Sequence, residues 1–185
     1  MTKRKVEITI LCEDIQQQVF ARRFLLNRGF HPRKIRLLPL PVGEGSGEKY
    51  VRRQYPKEVR AYRGKFTYRS VGLVVLIDAD KCTVDYRMQQ LDEVLTEDSQ
   101  NKSQEDERIA IFVPKRNIET WICYLRGGSV DEETAYPKLD RESDCEPCIQ
   151  TLLQQCSGGL NSDAPSSLQT ACEEWQRCDR LFGSI

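Results

Sequence analysis

The chain has 185 residues, 39% apolar and 30% charged, which suits one domain with a sizeable core and leaves two independent domains cramped. No apolar run reaches the roughly 18 residues of a membrane span, and the opening MTKRKVEITILCED breaks into charge before a signal core can form, so a cytoplasmic protein is expected. Formal net charge is zero, yet residues 1–70 carry 17 Lys and Arg against 6 Asp and Glu, while residues 71–185 carry 11 against 22. Such a separation fits two solvated faces that attract each other, or a basic face for phosphates beside an acidic cluster for metal.

Val6 to Cys12 is short, rich in β-branched residues and followed at once by acids, so it reads as a buried strand. From Ile15 to Arg28 apolar residues recur at helical spacing, with Gly29 as a stop signal. Ile35 to Val42 is expected as a second strand that Pro39 and Pro41 push to a sheet edge or end early. Gly43 to Glu48 follows as a flexible loop; its Gly-Glu-Gly-Ser-Gly run lacks the Gly-Lys-Ser/Thr of a P-loop. Lys49 to Arg63 is a basic segment in which Pro56 must start, kink or break any helix.

Val71 to Ile77 is the most apolar run and is expected as a central strand buried on both faces. Asp85 to Leu95 is helical by pattern, Thr96 to Glu107 is wholly polar and expected to be mobile, and Arg108 to Val113 is a fourth strand. Ile118 to Leu125 opens a helix behind Asn117, a good N-cap residue. The alternation predicts an α/β fold with a mostly parallel four-stranded sheet flanked by helices. Beyond Gly127 the rhythm changes to two short helices, roughly Glu146 to Cys156 and Leu168 to Phe182, which define a helical C-terminal extension over residues 127–185.

Without a secretion signal the eight cysteines are expected as free thiols. Cys145-Glu-Pro-Cys148 has the spacing of a zinc half-site, but no second such pair follows and the sole histidine, His31, is remote. Cys156, Cys172 and Cys178 fit equally well as apolar members of helix faces.

Chemistry concentrates where strands end. In a parallel sheet the carboxyl ends share one edge, so Glu13 and Asp14 after the first strand can meet Asp78 and Asp80 after the third. Asp78 and Asp80 face the same way if the chain stays extended. Clustered carboxylates repel unless a cation neutralises them, and hard oxygen ligands suit Mg²⁺ or Mn²⁺. Taken singly, each acid also reads as a helix cap or a solvated residue.

Ile10-Leu-Cys-Glu13, Val75-Leu-Ile-Asp78-Ala-Asp80 and the order of elements between them resemble the TOPRIM domain, the metal-binding module of topoisomerases, primases, OLD-family nucleases and small RloB-like proteins. The resemblance covers about residues 5–126, making residues 1–126 a TOPRIM-like catalytic domain. It implies acid/base and metal work for Glu13 and metal binding by Asp78 and Asp80. Pro114-Lys-Arg-Asn-Ile-Glu119-Thr-Trp121 resembles the element after the fourth strand in the RloB-like branch, which makes Glu119 an additional ligand candidate. Where the family glutamate is usually followed by glycine, this chain has Asp14, a residue suited to capping the next helix.

Lys81 and Lys115 sit beside the carboxylates and are candidates to contact a scissile phosphate, Lys115 as part of the catalytic set, or else to pair with Asp. Arg52, Arg53, Lys57 and Arg60, interleaved with aromatic residues, have the mixture of a nucleic-acid surface or of a solvated helix whose aromatics pack inward. The function expected is metal-dependent cleavage of phosphodiester bonds in DNA or RNA. By resemblance only, a role as a prokaryotic defence effector beside an ATPase partner is implied. The alternatives are a receiver-like phospho-acceptor, using Glu13, Asp14, Asp78 and Lys115, and an inactive binding subunit that keeps the fold.

Overall fold

A computed structural model describes residues 4–42 and 46–183. Four strands, β1 (Glu7–Leu11), β2 (Ile35–Leu37), β3 (Val71–Leu76) and β4 (Ile109–Phe112), form one sheet in the order β2-β1-β3-β4. All three pairings are parallel, with Ile8 opposite Ile35 and Gly72, and Val75 opposite Ile111. Parallel neighbours need crossover connections, and helices supply them: α1 (Ile15–Asn27), α2 (Gly47–Arg63) and α3 (Val84–Glu97). α4 (Ile118–Leu125), α5 (Glu146–Gly158) and α6 (Ser166–Gly183) follow β4.

Because strand side chains alternate, the sheet divides the core in two. Ile8, Ile10, Val74, Leu76, Ala110 and Phe112 point to one face, where they pack with α1, α4, α5 and α6 in a single apolar cluster. Leu11, Leu73, Val75, Ile109 and Ile111 point to the other, under α2 and α3. Every residue of β3 and β4 is buried. The C-terminal helices share the core of the sheet: Trp175 and Phe182 of α6 meet Phe30 edge-on, with ring centroids 6.2 and 5.4 Å away. A Cβ on Gly72 of β3 would lie 2.7 Å from the Phe182 ring, so this strand position has to be glycine for α6 to seat.

Four expectations change. β2 stops at Leu37, five residues before Val42, because the chain then enters the two-proline stretch. α2 runs unbroken through Pro56, since Val51, Tyr55, Val59 and Tyr62 form a continuous buried stripe on both sides of it; that burial outweighs the ~3 kcal/mol an interior proline costs. The polar stretch after α3 is tied down: Arg63 donates to the carbonyls of Asn101 and Lys102 at 2.9 and 3.1 Å and to both Glu107 oxygens, and Gln100 Nε2 donates to Pro56 O at 2.7 Å. Finally, Cys156 of α5 and Cys172 of α6 are joined in a disulfide, their Cα atoms 5.4 Å apart. The packing of the two helices brings these thiols together, a long-range effect that spacing does not reveal. Cys145 and Cys148 are free and buried, burial pushing the Cys145 thiol up to about 11.

Of the Gly43–Glu48 loop, residues 43–45 lie outside the described residues. Ser46 caps α2 by accepting from Lys49 N, and Gly47 and Glu48 are already helical. No helix among the described residues is long and apolar enough to cross a membrane.

Candidate metal centre

The strand order reverses between β1 and β3, so the crevice outside their carboxyl ends is the switch point where α/β sheets bind ligands. Glu13 leaves β1 there and Asp78 leaves β3. The Asp78 N–H donates to Glu13 Oε1 at 2.6 Å, tying the two strand ends together. The Glu13 N–H donates to Gln17 Oε1 at 3.0 Å, which orients the residue from α1. α2 closes the third side: a Cβ on Gly47 would lie 2.6 Å from Glu13 Cβ and 3.0 Å from its carbonyl oxygen, so the helix start presses directly on Glu13.

Asp14 caps α1, its Oδ1 accepting from Gln17 N at 2.9 Å, while Oδ2 accepts from Lys138 at 3.0 Å. Glu119, in the first turn of α4, is 3% exposed. Asn117 precedes that helix as its cap residue but makes no side-chain capping bond; its amide donates instead to Tyr136 O at 3.3 Å.

The electrostatics follow from crowding. Burial, then repulsion from Glu13, Asp14, Glu119 and Asp80, hold the Asp78 carboxyl well above the usual range. Burial, opposed by the Asp78 N–H bond and reinforced by Asp80 and Asp14, lifts Glu13 to about 7. Glu119 is raised by burial and by Asp14. Although Asp78 is only half-buried as a residue, its Oδ1 is fully enclosed without a hydrogen-bond partner, and so is Glu119 Oε1. Such orphaned oxygens cost ~1–3 kcal/mol each unless something binds them.

The ladder with β4 continues to Ala79, whose N–H donates to Pro114 O at 2.8 Å, and the chain turns only at Asp80, which is exposed at φ 54°. Its Oδ2 lies 3.5 Å from Arg87. Among the described residues no set of three His, Cys, Asp or Glu side chains is gathered closely enough to hold a metal ion as they stand. The all-oxygen donors and the two orphaned oxygens still fit a hard divalent cation that keeps part of its water shell, with Glu13, Asp78, Asp80 and Glu119 as the available carboxylates.

Three cations frame the site. Lys115 is directed to Glu133 at 3.1 Å, Lys81 is exposed in the turn after β3, and Lys138 reaches in from the loop after α4. Neither Lys138 nor Arg87 stands out in the sequence as a site residue. Arg87 is 3% exposed and donates to Glu48 at 2.5 Å and Gln90 at 2.7 Å, bracing α3 against the start of α2. Its signal is a charge at position 87 on the stripe continued by Leu91 and Leu95.

On α2, Lys49, Arg53, Lys57 and Arg60 form the exposed stripe opposite the core. Arg60 is paired with Asp98 at 2.6 Å, and Arg52, off the stripe, is paired with Glu48. Tyr55 and Tyr62 are buried beneath, so the interleaved aromatics of this helix belong to the core. Comparison with protein-family models, curated proteins and solved structures gave no match to the chain.

Proposed function

We propose that the chain is a divalent-cation-dependent phosphodiesterase acting on nucleic acid, as its resemblance to TOPRIM domains implies. The observation that carries this reading is the pairing of Glu13 with Asp78 at the switch point, with an orphaned carboxylate oxygen on each of Asp78 and Glu119. A bound Mg²⁺ or Mn²⁺ would relieve the mutual repulsion of these groups, polarise a phosphoryl oxygen and activate water. Glu13, lifted close to neutrality, is suited to take a proton from the attacking water and return one to the leaving oxygen. Lys81, exposed after β3, is available to a phosphate, Lys138 is held by Asp14, and the exposed stripe of α2 adds further positive charge.

An ATPase partner, a role in defence and a cytoplasmic setting rest on the resemblance alone. The receiver-like alternative has less support, because Lys115 is engaged by Glu133 and no fifth strand is present among the described residues.

The test is calorimetric titration of Mn²⁺ and Mg²⁺ into the full chain, paired with cleavage assays on labelled DNA and RNA. Wild-type protein is expected to bind cation and cut; Asp78→Asn is expected to remain folded, bind cation at least tenfold more weakly and lose cutting. Equal cation affinity in both proteins would sink the proposal.

A further inference from the structure

The opposite edge of the sheet carries a second feature that the carboxylates do not explain. Where α2 ends, the turn Gly64–Ser70 exposes two aromatic rings, Phe66 at 45% and Tyr68 at 67%. Two rings in one seven-residue turn give this edge exposed aromatic surface close to its cations. Phe66 is not loose: it stacks on Tyr62 with centroids 5.6 Å apart and planes 18° apart. Tyr62 is buried, and its hydroxyl accepts from Arg108 N at 2.8 Å, so the lower ring of the stack is anchored in the core. A guanidinium, Arg69, lies 5.9 Å from the Tyr68 centroid.

Beside these rings is a pocket of about 170 Å³ between β2, β1, β3 and the end of α2. Arg33, Lys34, Arg36 and Lys65 line it against only two acids, Glu7 and Glu58. Lys34 is held by Glu7 at 2.7 Å and Arg36 by Glu58 at 3.4 Å, while Arg33 and Lys65 form no ion pair among the described residues. The charge present reaches Glu7, whose carboxyl is lowered by its bond to Lys34 and by Arg69 and Lys65.

We propose that this edge is a binding platform for single-stranded polynucleotide, with unpaired bases stacking on Phe66 and Tyr68 and adjoining phosphates meeting Arg33 and Lys65. Flat rings alternating with cations are what a base and its backbone require. An acidic peptide would use the cations and leave the rings idle, and a continuous duplex keeps its bases stacked on each other. The platform deepens the nucleic-acid reading above, because it names the form of substrate. It lies at the far end of α2 from Glu13, and a 17-residue helix is about 25 Å long. At the ~3.4 Å spacing of stacked nucleotides that span is about seven nucleotides, and Lys49, Arg53 and Lys57 bridge it on the exposed face.

The experiment is fluorescence anisotropy in EDTA with labelled oligo-dT and oligo-U of 4, 8 and 12 nucleotides and a blunt 12-base-pair duplex, repeated from 50 to 200 mM salt. Wild-type affinity for single strands is expected to rise steeply between 4 and 8 nucleotides and to exceed that for duplex. Phe66→Ala and Tyr68→Ala, both at exposed rings, are expected to weaken single-strand binding about fivefold or more each and to leave duplex binding and the salt slope unchanged. Arg33→Ala with Lys65→Ala is expected to reduce the salt slope by about 1–2. Single-strand binding within twofold of wild type in both ring variants overturns the proposal, as does displacement by polyglutamate as readily as by oligo-dT. Better binding of RNA than DNA, or the reverse, identifies the strand and supports the platform. Cation binding at Asp78 is measured separately, so a failed platform leaves the metal reading standing and a failed metal site leaves the platform standing.

Discussion

The two edges of the sheet treat the same side chain in opposite ways. At the amino edge, Glu7 and Glu107 are both lowered: Glu7 chiefly by its bond to Lys34, and Glu107 because Arg63 and the Gln104 N–H more than offset the effect of burial. At the carboxyl edge, Glu13, Asp78 and Glu119 are all raised, because burial and one another's charge outweigh what hydrogen bonding they have. Carboxylates at the amino edge contribute to holding the fold, whereas those at the carboxyl edge strain it. Unrelieved strain of that kind belongs where a ligand is meant to relieve it.

The sharpest way to break this contrast is to neutralise one glutamate from each edge. Glu13→Gln is expected to slow cation-dependent cleavage by about 10²–10⁴, the range for loss of a proton-handling group, while Glu7→Gln stays within about twofold. Steady-state cleavage rates at saturating Mg²⁺ check both; a Glu13→Gln rate equal to wild type removes Glu13 from the chemistry.

Next in size is the loss of a working ion pair. Arg63→Ala strands Glu107 and releases the carbonyls of Asn101 and Lys102, and should destabilise the protein by about 2 kcal/mol, between the values for exposed and fully buried pairs. Asp78→Asn should have the opposite sign without metal, since it removes repulsion. Urea denaturation in EDTA compares the two.

The pH dependence divides the edges in the same way. Glu13 is raised from 4.5 to about 7, so its contribution to stability is fully present below pH 4.5 and is lost as pH rises through about 7. Glu107 is lowered, so its contribution is present above 4.5 and is lost as pH falls below that value. Metal-free protein is therefore expected to lose on the order of 1–3 kcal/mol between pH 4.5 and 7.5 from the Glu13 side, with Mg²⁺ restoring it and Glu13→Gln flattening the slope. Thermal melts across that window, with and without EDTA, measure it. The smallest effect belongs to Lys34→Met: its pair with Glu7 is solvent-exposed on both sides, so the change in stability should stay below about 1 kcal/mol.

What was legible in the sequence is what depends on short-range pattern. The run ending at Ile77 marks β3 because burial on both faces demands uninterrupted apolar residues, the β-branched alternation ending at Cys12 marks β1, and a parallel sheet then brings the acids that follow to one edge. The left-handed turn at Asp80 was not legible, because that backbone conformation leaves no mark on composition. Lys138 comes from a loop whose path is set by bonds to Asp14 and Asn117, both distant in sequence. The seating of α6 against Gly72 pairs residues 110 apart, Gly72 and Phe182, and the Cys156–Cys172 bridge joins two helices across a separation of 16, so neither follows from the pattern of a single element.

Gly47 recasts the stretch that reads as a flexible tether. With 2.6 Å between a would-be Cβ and Glu13, the start of α2 and the acid/base candidate form one mechanical joint. A methyl group has no room there, so Gly47→Ala would force the helix start and Glu13 apart, and the position of the carboxylate depends on a residue that carries no functional group of its own.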